Sequence, residues 1–408
     1  MKIGLLAYHS ACNMGATLQL LSSYGYWQKA GHEPIIINWV AQDLEDFYAC
    51  YTPLSQILFL RQLRQQLWKE TELCRTAEDI ARAIEKEGIQ AVVIGSDAVT
   101  QNHPWPSRLY LSKRHIVGIA RYTSDRMFPN PFWGTFNDYL AHPIPTALLS
   151  ASSQDSEYHL FTPKTRHEMV KRWESFSYIS TRDSWTQKMI ESITKGHILP
   201  LVTPDPVFAF NYNAGERIAS KEDIIKKYNL PEKYILLSFL NKFTVSQDWL
   251  TEFEHIAKEA GYMSVLLPFS NKPSYGSLPN TIELPLSPLD WYALIKFSSG
   301  YVGHNMHPIV VSLHNNVPFY SFDNYGQRHL NGLLPDDSSS KILHILSLAG
   351  LEQNRISCLP HTFQAPKPEV VLTKLFQFDK QKEKTFADLY YNKYVEMMSN
   401  IQTSIEHA

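Results

Sequence analysis

Short apolar runs alternate with longer amphipathic stretches along almost the whole chain, and this alternation restricts the possible folds more than any other feature. Residues 2–7 (Lys-Ile-Gly-Leu-Leu-Ala) suit a buried strand, and residues 16–29 have the spacing of a helix that Gly31 closes. Strands are also expected at 34–39 and 91–95, and near 144–151 and 177–180, with helices around 164–173 and 183–191. Beyond the polar stretch 211–220 the pattern starts again. A charged helix at 221–228 precedes strands at 234–239, 263–267, 300–303 and 317–320, with helices at 247–260, 288–296 and 307–315 between them. Strands alternating with helices make parallel βαβ units, and such sheets bind ligands at the carboxyl ends of their strands. At about 150 residues per domain, 408 residues allow two or three domains. The expected architecture is α/β, with Rossmann-like domains at 1–215 and 216–350 facing across a cleft. A charged helical tail at 351–408 is expected to pack back on them.

Charge is nearly balanced, 38 Lys and Arg against 40 Asp and Glu, so no nucleic-acid partner is expected. The four cysteines, Cys12, Cys50, Cys74 and Cys358, form no Cys-x-x-Cys pair, which leaves structural zinc and a disulfide framework without support. The apolar run after Met1 is too short for a signal-peptide core, and nothing approaches the roughly 18 apolar residues that cross a bilayer. A cytoplasmic protein is expected. Residues 54–69 form a basic amphipathic segment with Arg61, Arg64 and Lys69. It reads as a helix packed on its own domain, with peripheral contact to the inner face of a membrane as the alternative.

Gly-x-Gly-x-x-Gly, P-loop, His-Glu-x-x-His, Gly-x-Ser-x-Gly and Asp-x-Asp patterns are all missing. Two Rossmann-like halves without nucleotide or metal signatures point to a donor held by side-chain cations, a histidine and backbone amides. No metal and no resident cofactor are expected.

Five short segments carry the candidate chemistry. Residues 8–19 join the first strand to the first helix and include His9, Asn13 and Gly15; Gly15 either lets backbone approach a ligand or simply makes the turn. Ser96 and Asp97 end the buried strand at 91–95, where Asp97 acts as a general base or as a helix cap. Arg182, just after a strand, suits a phosphate or carboxylate, or pairs with a nearby acid. Asp205, between Pro204 and Pro206, reads as a rigid structural turn. The most informative segment is 303–308 (Gly-His-Asn-Met-His-Pro), where a histidine beside unpaired helix-start amides makes an anion site. His304 and His307 are three apart, but no nearby carboxylate or cysteine completes a metal set. Arg328 and His329, on the loop after the next strand, reach the same cleft.

In this order the segments resemble the polysaccharide pyruvyl transferase family. Members open with a Tyr-His-Ser-x-x-Asn-x-Gly-Ala-x-Leu-Gln-like turn, which Tyr8 to Gln19 matches. The family's Val-Gly-Ser-Asp-x-Val appears as Ile94 to Val99, and its Ala-Ser-Phe-Gly-like strand end as Ala151 to Gln154. Its Ser-x-Arg-Asp/Glu falls on Ser180 to Asp183, and its Asp-Pro on Asp205-Pro206. The Ser-Phe-His-Gly-Thr helix opening lines up with Asn305 to Ile309, where only the histidine is kept. Asn316 to Phe319 follows where the family has Asn-Lys-Pro-Phe. Members with Asp-Glu after the first glycine differ from this chain, which has Ala16 and Thr17.

The resemblance implies a glycosyltransferase-B-like pair of domains, the first on the acceptor side and the second on the donor side. It also implies transfer of pyruvate from phosphoenolpyruvate, a co-substrate, to hydroxyls of a sugar, forming a cyclic ketal. The acceptor would be a bacterial surface polysaccharide or its lipid-linked precursor. His307 then serves as general acid or phosphate ligand and Asp97 as acceptor-side base. Arg182, His304, Asn305 and Arg328 fall to the donor, and His9, Asn13, Gly15 and Ser96 to the acceptor. Two other readings stay open. One is a metal-independent glycosyltransferase with its nucleotide sugar near 238–242 and 287–290; the other is a non-catalytic saccharide-binding relative.

Overall fold

The computed structural model describes residues 1–111, 117–329 and 334–408, without the side chains of Tyr110, Leu111, Val117, Arg328 and His329. The first half is built on β1 (Lys2–Leu6), β2 (Glu33–Ile36), β3 (Ala91–Asp97), β4 (Thr146–Ala151), β5 (Tyr178–Thr181) and β6 (Leu201–Val202). These form one parallel sheet in the order β2-β1-β3-β4-β5-β6. Strands β3 and β4 are buried on both faces, so they read as runs of apolar and small residues without polar alternation. The helices around them are α1 (Met14–Lys29), α2 (Gln42–Tyr51), α3 (Leu54–Leu67), α4 (Ala77–Glu87), α5 (Pro163–Glu174) and α6 (Ser184–Thr194). Helix α1 has no charged side chain before Lys29 and is buried on almost every side, which lets it fill the seam between the halves.

The second half repeats the plan with β7 (Tyr234–Ser238), β8 (Met263–Leu266), β9 (Gly300–Gly303), β10 (Phe319–Asp323) and β11 (Arg355–Ser357). Their parallel order is β8-β7-β9-β10-β11. Around them lie α7 (Lys221–Tyr228), α8 (Gln247–Glu259), α9 (Pro288–Lys296), α10 (Met306–Asn315), α11 (Lys341–Ala349) and α12 (Pro368–Phe376). Edge strand β11 lies beyond residue 350, where the sequence pattern ends the second unit, and α12 packs Val371, Leu372 and Leu375 into that unit's core. A three-residue Arg-Ile-Ser strand is too short to show a period, so the second half runs further than its pattern suggests.

The last helix, α13 (Lys380–Glu406), crosses from one half to the other. Near its start Lys382 donates to the carbonyl of Gly350 in the second half (2.9 Å). Further on, Tyr394 meets Tyr26 of α1 edge-on, and its hydroxyl accepts from Asn213 at 3.0 Å. Helix α3 also ties the halves together: the buried Gln56 amide donates to the Leu286 carbonyl (3.0 Å) and accepts from the Leu286 amide (2.7 Å). Among the described residues, no helix is long and apolar enough to cross a membrane. In both sheets a strand order reverses, at β1 between β2 and β3 and at β7 between β8 and β9. A crevice opens at the carboxyl ends at each of these points.

Candidate functional site

The two crevices merge into one cavity of about 270 Å³. The first half lines it with Tyr8, Asn13, Gly15, Asp97 and Arg126, and the second with Trp291, Asn305, His307, Tyr325 and Lys341. Helices α1 and α10 both begin there. Asn13 caps α1, accepting from the Ala16 amide at 3.3 Å, so its side chain is already engaged by the helix. Asn305 holds the cap position of α10 at φ 76° without making a cap bond. Two helix starts give the space a positive character.

The imidazole of His307 crosses the seam and lies against the backbone of Gly15. A Cβ at residue 15 would stand 2.0 Å from that ring. Gly15 lines the cavity, and its lack of a Cβ also makes room for the histidine of the opposite half. His307 Nε2 is buried 3.7 Å from Asp205 Oδ2, beyond hydrogen-bond range, and has no hydrogen-bond partner. Burial lowers its pKa below the usual 6.5, while Asp205 and Asp97 pull upward and Arg182 and Lys341 pull down. The resting ring is neutral at pH 7, and an anion placed beside it raises its proton affinity.

Behind the cavity wall lies a buried charge network. Arg182 is 3 % exposed and donates to Asp205 Oδ2 (3.0 Å) and to Asp97 Oδ1 (3.2 Å). Gln19 donates to the same Asp205 oxygen at 2.6 Å and to Ser96 Oγ at 3.3 Å. The other Asp205 oxygen accepts from the Val207 amide, so the expected rigid turn is real but also carries a charge under His307. The donor contact expected of Arg182 needs correcting, because both guanidinium amino groups are already committed to carboxylates. Burial raises the pKa of Asp97, but Arg182, Lys341 and His307 outweigh it and hold the group well below the ordinary carboxylate range. Asp97 does reach the cavity, yet such low proton affinity suits a fixed counter-ion and not the acceptor-side base expected of it.

Three other expected contacts lie away from the cavity lining. His9 is 1 % exposed, its ring held by Asn38 Oδ1 (2.8 Å) and the Ala7 carbonyl (3.2 Å). Ser96 is buried and donates to the Ser150 carbonyl at 2.8 Å. His304 Nδ1 accepts from the Leu240 amide, which leaves Nε2–H to donate to Thr244 Oγ1 at 3.1 Å. Burial pushes its pKa down to about 4, so it is a neutral brace for the loop after β7 and not a donor ligand. Arg328 falls on the short ribbon Gln327–His329, and its side chain lies outside the described residues.

Two cations went unnoticed in the sequence. Lys341 begins α11 and is 5 % exposed. Among the described residues its ammonium makes no hydrogen bond or ion pair, resting 4.8 Å from the centre of the Tyr325 ring. Burial, then Arg182, push its pKa down to about 8, against Asp97, Asp183 and Asp155. A lysine opening an apolar helix, where the helix dipole disfavours cations, is the one signal that marks it. Arg126, brought in by the turn Ser124–Arg126, stands 3.9 Å from Asp125.

A family model described as polysaccharide pyruvyl transferase matches residues 13–325. The chain belongs to the polysaccharide pyruvyl transferase family. It is accordingly a transferase. No curated protein matches the chain in sequence. Among solved structures, it is similar to a UDP-GlcNAc 2-epimerase from Neisseria meningitidis bound to UDP-GlcNAc: TM-score 0.55, 9% identity, 99% of this chain and 100% of that chain covered. A ugt transferase from Siraitia grosvenorii in complex with UDP gives TM-score 0.53 at 11% identity, covering 99% of each chain. A putative UDP-N-acetylglucosamine 2-epimerase from Listeria monocytogenes gives 0.51 at 10% identity, covering 95% of this chain and 90% of that one. At these identities the likeness concerns the fold, and this family member has the glycosyltransferase-B fold expected from its motifs.

Proposed function

We propose that the protein transfers the pyruvyl group of phosphoenolpyruvate to two hydroxyls of a sugar, forming a cyclic ketal on a bacterial surface polysaccharide or its lipid-linked precursor. The observation that carries this reading is one cavity, shared by both halves, that gathers cations without committed partners. Among the described residues Lys341 makes no ion pair and Arg126 is loosely paired, and the neutral His307 faces two helix starts. Phosphoenolpyruvate carries a carboxylate and a phosphate a few atoms apart. The planar fork of Arg126 suits the carboxylate, and Lys341 with the helix amides suits the phosphate.

The phosphate beside His307 raises its proton affinity, so the ring becomes an acid once the donor is bound. His307 gives a proton to the methylene carbon, and positive charge develops on the neighbouring carbon. One sugar hydroxyl adds there and returns its proton to His307. The carbon–oxygen bond to phosphate breaks, the second hydroxyl closes the ring, and its proton leaves on the phosphate. Asp97, held low by Arg182 and Lys341, stays ionised throughout, and with Asp205 it faces Arg182 and the imidazolium. No metal or resident cofactor enters this scheme, which runs in the cytoplasm where phosphoenolpyruvate is made.

The test supplies phosphoenolpyruvate and a panel of nucleotide sugars with synthetic acceptors, and follows phosphate and nucleotide release. Phosphate release that needs both phosphoenolpyruvate and acceptor is the expected result. Nucleotide release would make the protein a glycosyltransferase, and release of neither a saccharide-binding relative.

A further inference from the structure

Next to the reaction cavity, a groove of about 330 Å³ runs between the halves, with Tyr51 and Pro53 on one side and Asn271, Lys272 and Pro273 on the other. The two spaces are continuous, because Asn271 lines both and Phe47 of the cavity touches Tyr51, their ring centres 4.9 Å apart. Phe47 and Tyr51 lie one turn apart on α2 and are 44% and 63% exposed. Rings this large left in water at the mouth of a site form a platform for a ligand. Opposite them the Asn271 amide supplies a donor and an acceptor. The Lys272 ammonium lies back over Phe269, 5.7 Å from the ring centre. A flat apolar face set against a few polar groups matches a pyranose ring, which has a C–H face edged by hydroxyls.

We propose that this groove is an acceptor subsite for the sugar next to the one being modified, so that the acceptor is an oligosaccharide of at least two units. The proposal rests on the ketal-forming reading for what happens in the cavity, but its own contacts can be measured without the donor.

The experiment is saturation-transfer NMR on the full chain with mono-, di- and trisaccharide glycosides of common hexoses and N-acetylhexosamines, with no phosphoenolpyruvate present. Protons of the second ring of at least one oligosaccharide are expected to be saturated by the wild type, lost with Tyr51→Ala and kept with Tyr51→Phe. In turnover, Tyr51→Ala should raise KM about ten-fold for that oligosaccharide, the effect of uncovering roughly 50 Å² of apolar contact. The KM values for phosphoenolpyruvate and for a single-sugar acceptor should stay unchanged. No second-ring signal from any glycoside, or equal signals from wild type and Tyr51→Ala, overturns the proposal. The exposed Leu54 and Leu58 next to the groove set up one more outcome. If Tyr51→Ala weakens only binding to vesicles of phosphatidylethanolamine and phosphatidylglycerol, the face is a membrane surface and the subsite fails. Second-ring contacts without phosphate release from any acceptor would sink the ketal reading while leaving the subsite standing.

Discussion

The two halves end their third strands with the same backbone device and use it for opposite purposes. Strand β3 closes on Gly95-Ser96-Asp97, and β9 closes on Gly303 followed by His304 and Asn305. Each glycine lies so close to the neighbouring strand that a Cβ would meet a carbonyl oxygen, Leu149 at 2.3 Å or Ser238 at 2.2 Å. The next residue is a buried polar one with internal hydrogen bonds, and the third faces the cavity at a left-handed φ of 79° (Asp97) or 76° (Asn305). In the first half that third residue is a carboxylate fixed by Arg182. In the second it is an amide that makes no cap bond at the start of α10, which presents His307. The same turn thus anchors charge on one side and leads into the helix that presents His307 to the cavity on the other.

The largest expected effect falls on the delivering side. His307→Ala should lower phosphate release from phosphoenolpyruvate by about 10²–10⁴-fold, the usual worth of a general acid–base, with little change in Tm. Near-full turnover in that variant would end the division of labour. The anchoring side should respond in stability instead. Arg182→Met leaves Asp97 and Asp205 buried without their cation and should cost about 3–5 kcal/mol in denaturant unfolding. A loss below about 1 kcal/mol would mean that the network does not hold the first half.

A smaller effect concerns the cation between the two sides. Lys341→Met should raise KM for phosphoenolpyruvate about 10- to 100-fold at pH 7. With a pKa pushed down to about 8, Lys341 is charged below that pH and loses its charge above it. Wild-type donor KM should therefore climb as pH rises through about 8, and the climb should vanish in Lys341→Met. The smallest change is Asn305→Gly, which relieves a left-handed backbone and should add about 1 kcal/mol of stability. At the matching place, Asp97→Gly relieves the same backbone but breaks the Arg182 pair, so it should destabilise. If both variants move stability the same way, the two turns are not used differently.

Much of this was legible beforehand. The strands expected at 91–95 and 234–239 and the helices at 247–260 and 288–296 lie within two residues of the observed bounds, because periodic runs state their own structure. The functional residues split differently. His307 was visible because a histidine at a helix start is rare and has a local meaning. Arg182 was visible, but its role was not: its partner Asp97 lies 85 residues away, and only the sheet order brings the two together. His9 and His304 looked like ligand contacts by type, whereas burial and internal hydrogen bonds make them braces. Lys341 and Arg126 sit in segments whose local pattern says only helix start and turn.

The contact between His307 and Gly15 joins the two halves at the cavity. His307 belongs to the second half and its seat, Gly15, to the first. The site is therefore assembled from both halves, and the seat of the proposed acid–base group exists only where they meet. Helix α13, held at one end by Gly350 and further along by Asn213 and Tyr26, keeps that shared seat in register by tying one half to the other.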